Sequence, residues 1–252
     1  MPDPGAPYTP EFFDGQRPGS EASARAVLPL AFALLGDRPP GRVADVGCGT
    51  GTWLRVARDL GVAEARGFDG PWIERGAFEV DPAWLVHLDL AAADPAAMRR
   101  AAGLAGGGGF DFVVSMETGE HLDAPAAPGF VAALCGLGAD AVLFSAAIPR
   151  QGGPGHVHEA WPGWWAALFA RHGFACHDAL RPRLWADPRA EWWYAQNALL
   201  FARGAASARL AAAGHPPADP PLALVHPRRF SLSLAAEDEL RARLTAAEGR
   251  AP

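Results

Sequence analysis

The residue types best suited to chemistry in this 252-residue chain lie in residues 43–51. Their sequence, Val-Ala-Asp-Val-Gly-Cys-Gly-Thr-Gly, predicts a buried strand that runs into a glycine-rich turn. Gly47, Gly49 and Gly51 stand at alternate positions, where the lack of a side chain permits positive φ and close approach of a ligand to the backbone. Asp45, just before them, supplies a carboxylate for a cationic group. These residues predict a binding loop for a nucleotide-type cofactor.

The spacing of the glycines separates this loop from that of dinucleotide enzymes. Those enzymes carry Gly-x-Gly-x-x-Gly, which opens a helix N-terminus onto a pyrophosphate. Here the third glycine of that pattern is replaced by Thr52. An acid followed by x-Gly-x-Gly-x-Gly instead resembles the first motif of the class I S-adenosylmethionine (SAM)-dependent methyltransferases. The resemblance implies that Gly47, Gly49 and Gly51 contact the methionine half of SAM and that Asp45 lies near its ammonium group.

Acidic residues also follow the next two predicted strands. Ligands of open α/β sheets bind beyond the carboxyl ends of the strands, so these acids should reach the same site. Asp69 lies 22 residues after Gly47, the distance at which an acid ending the second strand binds ribose hydroxyls. Asp89 resembles the acid near the adenine amino group, and for both acids a local turn is the alternative role. The predicted cofactor-binding set is Asp45, Gly47, Cys48, Gly49, Gly51, Asp69, Gly70, Asp89, Leu90, Met116 and Glu117.

Three histidines are candidates for catalysis by proton removal. Residues 116–122, Met-Glu-Thr-Gly-Glu-His-Leu, resemble the Glu-x-x-Glu-His-Leu segment after the fourth strand of many small-molecule methyltransferases. His121 in this segment is the first candidate base, because a histidine with a pKa of about 6.5 can accept a proton at neutral pH. A structural histidine is the alternative, and Glu120 would line the site or orient the ring. His156 and His158, in the loop after the fifth strand, are the other candidates.

The loop after the fifth strand also contains residue types that bind metals. His156, His158 and Glu159 form a His-x-His-Glu sequence. Structural zinc takes four ligands, so this short sequence without a distant partner is a weak metal signal. The sequence therefore predicts acceptor binding or proton removal for this loop, with no metal.

Composition limits the partners of the chain. The net charge of −6 argues against nucleic acid, whose binding proteins carry a basic stripe. No apolar stretch approaches the roughly 20 residues of a membrane span, and the Met-Pro-Asp-Pro-Gly start lacks a secretory signal pattern. Cys48, Cys135 and Cys176 are odd in number and far apart, which favours the reducing cytoplasm. We expect a cytoplasmic protein with a small-molecule partner, and a homodimer remains open.

The chain contains no lysine, since all 22 of its lysine or arginine residues are arginines. A phosphate-binding Walker lysine and a lysine Schiff base are therefore excluded. The Tyr-x-x-x-Lys pair of short-chain dehydrogenases is excluded as well. Several enzyme classes that also use a glycine-rich loop are thereby disfavoured.

The elements that must position these residues alternate between strands and helices. Strands are predicted at 42–47, 64–68, 84–90, 110–116, 141–147, 174–180 and 197–202. Helices are predicted at 20–35 with Ser20 as N-cap, at 52–60, in a short piece after Pro71, from Pro95, at 161–172 and at 235–247. Such alternation predicts an α/β fold with a doubly wound sheet. The last two strands resemble the sixth and seventh of the mostly parallel, seven-stranded, Rossmann-like methyltransferase sheet.

Two segments follow from this organisation. Residues 1–203 are predicted to form the methyltransferase domain with its N-terminal helix. Residues 204–252 are predicted to form a C-terminal extension of the same domain, with a Pro-rich linker over 204–228 and a terminal helix.

The resemblance extends over about residues 12–203. Ile-Pro-x-Gln-Gly-Gly at 148–153, Gly-His-Val at 155–157 and Trp-Trp-Tyr-Ala-Gln-Asn at 192–197 resemble a bacterial subgroup of methyltransferase-domain proteins. That subgroup usually has Asn where this chain has His158, so no role is carried over to this position. Together these features predict a SAM-dependent methyltransferase that methylates an oxygen of a natural product or sugar-like metabolite. That oxygen belongs to a hydroxyl or a carboxylate group. N- or C-methylation, a non-catalytic SAM-binding protein and an NAD(P)-dependent oxidoreductase are the alternatives.

Overall fold

A seven-stranded sheet forms the centre of this computed structural model, which describes residues 9–248. The Met-Pro-Asp-Pro-Gly start lies outside the described residues. The strands are β1 Arg42–Val46, β2 Glu64–Asp69, β3 Leu85–His87, β4 Phe112–Met116, β5 Ala141–Ser145, β6 Ala175–His177 and β7 Leu199–Ala202. Their order is β3-β2-β1-β4-β5-β7-β6, in which β7 alone runs antiparallel to its neighbours within the described part. The predicted Rossmann-like methyltransferase fold is confirmed.

Helices cover both faces of the sheet. They are α1 Pro10–Leu35, α2 Thr52–Asp59, α3 Pro95–Ala101, α4 Ala127–Gly136, α5 Pro162–Ala170, α6 Arg181–Leu184, α7 Trp192–Asn197, α8 Gly204–Ala212 and α9 Pro227–Glu248. Side chains alternate between the faces along each strand. Val43 thus packs in the core under α1 and α2, and Ala44 packs in the core under α3, α4 and α5.

The strand order reverses at β1, which pairs with β2 on one side and β4 on the other. The chain leaves β1 to build β2 and β3 outward, then returns to place β4 against the opposite edge of β1. Ligands of doubly wound sheets bind at this switch point, beyond the carboxyl ends of the strands. Asp45, the residue aligned with Gly67 on β2 and Val114 on β4, lies at this end of β1.

The first helix begins ten residues earlier than the sequence predicts. Thr9 is its N-cap, and its hydroxyl accepts a hydrogen bond from Phe12 N at 3.3 Å. Ser20, the predicted cap, lies inside the helix and accepts a hydrogen bond from Trp53 Nε1 at 3.1 Å. The sequence predicts a shorter helix because Pro18 normally interrupts a helix interior. The longer helix carries Phe12 and Phe13 over the switch point.

Part of the predicted linker is helical. Residues 204–212 form α8, whose Leu210 is fully buried in the core under α1. The terminal helix, α9, begins at Pro227 and not at residue 235. Phe230 and Leu240 of α9 are more than half exposed, as the prediction of an exposed helix requires. Within residues 9–248, no helix is long and apolar enough to cross a membrane.

Candidate active site

A cavity of about 500 Å³ opens at the switch point, beyond the carboxyl ends of β1, β2 and β4. The loop after β1 forms one side, and the loop after β5 forms the other. Residues of α1 and α7 cover it, among them Phe13, Trp192 and Tyr194. Predicted site residues that line it are Gly47, Cys48, Gly49, Asp69, Asp89, Leu90, Met116, Glu117, His121 and His156.

The loop after β1 requires its three glycines. Gly47, Gly49 and Gly51 have φ values of 81°, 52° and 85°, a region that side chains rarely adopt. A Cβ on Gly47 would lie 2.1 Å from the hydroxyl oxygen of Thr118, and one on Gly51 would lie 2.7 Å from the ring of Phe78. The bare backbone therefore packs tightly against Thr118 and Phe78. The amide of Gly47 donates to the carbonyl oxygen of Phe68, and that of Gly51 to the carbonyl oxygen of Cys48.

Asp69 connects two strands at the cavity wall. Its Oδ2 accepts a hydrogen bond from Gly49 N at 2.8 Å, and its Oδ1 accepts one from Gly70 N at 2.7 Å. Burial raises the pKa of the Asp69 carboxyl, although these hydrogen bonds act against the rise. The indole of Trp72 lies over the Gly70 backbone, which explains why a glycine follows Asp69.

Asp45 lies beneath the glycine loop and is 2% exposed. Its Oδ2 has no hydrogen-bond partner among residues 9–248. Burial, together with the negative charge of Asp69, raises the pKa of Asp45 to about 8. A buried carboxyl oxygen without a partner beneath the glycine loop fits a ligand that brings a cationic group. Asp45 and Gly51 support the loop from behind and are absent from the described lining.

Asp89, which is predicted to lie near the adenine amino group, follows the end of β3. Asp89 and Leu90 both line the cavity, Leu90 buried and Asp89 exposed. The Oδ1 of Asp89 accepts a hydrogen bond from Ala91 N at 2.9 Å, so the turn role considered from the sequence is present. Its position at the cavity also leaves it available to a ligand.

Sequence reasoning missed Glu79, which holds the glycine loop in place. Its carboxylate accepts hydrogen bonds from Thr50 Oγ1 at 2.9 Å and Thr52 Oγ1 at 2.6 Å. It also pairs with Arg55 at 2.7 Å and with Arg17 of α1 at 3.0 Å. No local pattern marks Glu79, because its partners are distant in sequence and meet it only after folding.

Glu117 is fixed by a polar network at the end of β4. Its Oε1 accepts a hydrogen bond from Asn197 Nδ2 at 3.1 Å, and its Oε2 accepts one from Gln151 Nε2 at 2.8 Å. The residue adopts φ 50°, a conformation held by this network. Burial raises the pKa of the Glu117 carboxyl. The network joins the end of β4 to the loop after β5 and to α7.

His121 and His156 lie side by side in the lining of the cavity. Their rings meet edge to face, with centroids 4.9 Å apart. His121 Nδ1 lies 3.2 Å from the carbonyl oxygen of Gly155, and His156 Nδ1 lies 3.0 Å from Oε1 of Glu159. Burial and the neighbouring His156 lower the pKa of His121 to about 4. His121 is therefore a neutral imidazole at pH 7.

His158 lies apart from the other two candidate histidines. Its ring packs against Trp164, with centroids 4.5 Å apart, and also contacts Trp165. Among the described residues it does not contribute to the cavity lining. In an extended segment residues two apart point to the same side, so the sequence does not distinguish the two histidines and only the fold decides which one reaches the site. The structure brings His156 together with His121 and places His158 on the tryptophans.

A profile of the family described as "Methyltransferase domain" matches residues 16–199. The chain belongs to this methyltransferase family. Its members take the methyl group from SAM, and the glycine loop with Asp45 and Asp69 lies inside the matched range. This methyltransferase has no match among curated proteins.

Solved structures share the fold of this methyltransferase. An O-methyltransferase family protein from Burkholderia thailandensis has a TM-score of 0.51 at 17% identity, covering 77% of this chain and 58% of that protein. Magnesium protoporphyrin IX methyltransferase from Synechocystis PCC 6803, solved with bound SAM, has a TM-score of 0.50 at 16% identity, covering 74% and 80%. A putative O-methyltransferase from Nostoc punctiforme PCC 73102 has a TM-score of 0.51 at 13% identity, covering 77% and 59%. This methyltransferase thus spans less than two thirds of two of these proteins.

Proposed function

We propose that this methyltransferase transfers the methyl group of SAM to an oxygen of a small natural product or sugar-like metabolite. One observation carries the proposal: a single cavity is lined both by the glycine loop and Asp69 and by His121 and His156. Its volume of about 500 Å³ is in the range of small-molecule sites. A cofactor and a small acceptor can therefore meet within it.

The part of the cavity lined by the glycine loop and Asp69, here called the cofactor end, offers partners for polar parts of SAM. The resemblance implies that the methionine half lies beside Gly47 and Gly49, which line the cavity, and Asp45 suits its ammonium group. The Asp69 carboxylate suits the ribose hydroxyls, since charge-assisted hydrogen bonds are about twice as strong as neutral ones. Asp89 at the end of β3 suits the adenine amino group.

SAM supplies a methyl group on a sulfonium that is already a good leaving group. The chain's task is to align the acceptor, and such positioning contributes up to about 7–11 kcal/mol. For a hydroxyl acceptor, His121 or His156 accepts the proton, which adds about 10²–10⁴-fold. A carboxylate acceptor is already ionised and needs no base.

Calorimetric titration with S-adenosylhomocysteine in the presence of a chelator tests the cofactor end. We expect one equivalent to bind with micromolar affinity, and Asp69→Asn to weaken binding at least tenfold. Asp123→Asn is the matched control, because Asp123 is exposed and absent from the described cavity lining. Equal affinities of the two variants for S-adenosylhomocysteine would contradict the proposed role of Asp69 in binding the ribose. No binding by the wild type would reopen the oxidoreductase alternative.

A screen with methyl-labelled SAM and a panel of hydroxyl, carboxylate and amine acceptors tests the reaction itself. We expect the label on an oxygen, identified in the product by nuclear magnetic resonance. His121→Ala should slow a hydroxyl acceptor by several hundredfold and leave a carboxylate acceptor nearly unchanged. Label on nitrogen or carbon would overturn the oxygen assignment, and no transfer to any acceptor would support a non-catalytic SAM-binding role.

We also propose that the protein works in the cytoplasm. Cys48, Cys135 and Cys176 are all buried free thiols, a state that a reducing compartment preserves. Fractionation of the producing cells would test this location.

A further inference from the structure

Three potential metal ligands meet beside the part of the cavity that His121 and His156 line, here called the acceptor end. Glu120, His121 and His156 each offer a donor atom, and these atoms lie within 4.8 Å of one another. His156 Nε2 is 4.0 Å from Oε1 of Glu120. Two ligands bound to one ion at about 2.1 Å can be at most about 4.2 Å apart. The pair of Glu120 and His156 lies just within this limit, and any pair near 4.8 Å would have to move closer to share an ion.

Glu120 is the unusual member of the group. Its side chain is 0% exposed, and neither carboxylate oxygen has a hydrogen-bond partner of normal geometry in residues 9–248. Burying a carboxylate without partners is costly, and the usual remedies are a paired charge or a metal ion. Burial and the charge of nearby Glu117 raise the pKa of Glu120. Glu117 itself accepts hydrogen bonds from Asn197 and Gln151.

The two histidines are oriented as metal ligands usually are. A ligating histidine typically donates its second ring N–H to a backbone carbonyl or carboxylate, which fixes the tautomer and the ring. His121 Nδ1 is directed to the carbonyl of Gly155, and His156 Nδ1 to the carboxylate of Glu159. With the proton on Nδ1, the lone pair of each ring is on Nε2. For His156, this is the nitrogen that faces Glu120.

We propose that Glu120, His121 and His156 bind one divalent transition-metal ion at the acceptor end of the cavity. Two imidazoles and one carboxylate favour ions such as Zn²⁺, Fe²⁺, Co²⁺ or Mn²⁺ over the oxygen-preferring Ca²⁺ and Mg²⁺. The sequence contains metal-binding residue types in His156, His158 and Glu159 but predicts no metal. In the fold, Glu120 and His121, which follow β4, join His156 in this group in place of His158. Glu159 contacts His156 Nδ1, on the side of the ring away from the proposed ion.

Three protein ligands leave coordination positions open toward the cavity, because His121 and His156 both line it. This step rests on the proposed function: an acceptor hydroxyl coordinated there would lose its proton to water more readily, since a bound cation lowers the pKa of a coordinated oxygen. With the ion bound, His121 and His156 would act as ligands and not as the base. The preferred acceptors would then carry a hydroxyl with a second oxygen beside it, so that both can reach the ion.

The experiment is a titration of the chelator-treated full chain with Co²⁺, followed by visible absorption, and with Zn²⁺, followed by calorimetry. We expect one equivalent of each ion to bind, with cobalt absorption bands of imidazole–carboxylate ligation. Glu120→Gln and His156→Ala should each weaken binding at least tenfold. Glu159→Gln should weaken it about 10–100-fold, as loss of an orienting partner does.

His158→Ala is the matched control, since His158 lies in the same loop but outside the group. It should bind Co²⁺ as the wild type does. Wild-type protein that takes up no stoichiometric ion would overturn the proposal, and so would Glu120→Gln binding with unchanged affinity. S-adenosylhomocysteine affinity, measured on each variant, confirms that the variant is folded. Retained cofactor binding with no metal binding would reject this site alone, whereas loss of cofactor binding in the wild type would reject the proposed function.

Discussion

Asp69 Oδ2 accepts a hydrogen bond from the backbone nitrogen of Gly49 at 2.8 Å. The acid at the end of β2 therefore holds the loop at the end of β1, and the two halves of the cofactor region are one structure. Changes in the loop should affect both cofactor binding and stability. The glycine with the least room for a side chain offers the most direct test.

Gly47→Ala should destabilise the protein by about 1–3 kcal/mol, because Gly47 has φ 81° and an added Cβ would overlap the side chain of Thr118. Binding of S-adenosylhomocysteine should fall at least tenfold. Urea unfolding and calorimetry measure the two effects. Gly76→Ala is the control, since nothing lies within 4 Å of its added Cβ and its φ is negative. Equal stability of the two variants would show that the loop is less constrained than its geometry indicates.

Asp45 should make the protein less stable as pH rises. Its pKa of about 8 in the folded state is above the 3.8 of an ordinary carboxyl, so the folded protein holds this proton more tightly than the unfolded chain. The stability from Asp45 is therefore complete below about pH 4 and is lost progressively up to about pH 8. Asp45→Asn removes this dependence and should gain about 1 kcal/mol or more relative to the wild type between pH 5 and pH 8.

Urea unfolding of both proteins at pH 5, 6, 7 and 8 measures that gain. The difference between the two proteins isolates Asp45 from the other titrating groups. A constant difference across this range would contradict a raised pKa. Asp59→Asn, a change at an exposed acid of α2, should show no comparable trend.

Glu79→Gln should loosen the glycine loop. Glu79 is 12% exposed and binds Thr50, Thr52, Arg55 and Arg17, so a neutral amide there loses charge-assisted hydrogen bonds. We expect a loss of about 1–3 kcal/mol in the free energy of unfolding and weaker S-adenosylhomocysteine binding. Glu64→Gln, at an ion pair in which Glu64 is 62% exposed, should cost less than about 0.5 kcal/mol. Matching losses in both variants would argue against a special role for Glu79.

We expect Arg181 to hold residues 213–226 of the C-terminal extension against the rest of the domain. It is 1% exposed, pairs with both oxygens of Asp178 and donates to the carbonyl of Leu222 at 2.9 Å. Arg181→Met should cost about 3 kcal/mol and make residues 213–226 sensitive to limited proteolysis. Arg189→Met is the control, because Arg189 forms a similar pair with Asp187 but is 66% exposed. Resistance of the Arg181 variant to cleavage would show that the extension is held by other contacts.

The local sequence was sufficient to predict the backbone conformation of the glycine loop and the order of the strands and helices around it. Gly47, Gly49 and Gly51 predict positive φ by themselves, and all three have it. The long apolar run at 141–147 predicts a buried strand, and β5 is buried at each of its five residues. Edge strands are less predictable: β3 spans three residues where the sequence predicts seven, because an edge strand keeps only the pairs that its one neighbour supplies.

Helix ends depended on contacts that the sequence does not display. Pro18 argues against a helix before Ser20, yet α1 begins at Pro10. Residues 204–212 carry few large apolar side chains, yet Leu210 finds a place in the core under α1. In both segments tertiary packing outweighs local preference, which costs about 3 kcal/mol for an interior proline and at most about 1 kcal/mol for any other residue.

The sequence by itself determined that residues 43–51 form a strand and a turn with three positive-φ glycines, because glycine spacing acts over a few neighbouring residues. Only the tertiary structure decided which distant side chains complete the site. Glu79 reaches the glycine loop from 27 residues beyond Thr52, and His156 rather than His158 joins Glu120 and His121. Such contacts depend on how the loop after β5 folds back across the sheet edge, and long-range geometry of this kind leaves no periodic signal in the chain.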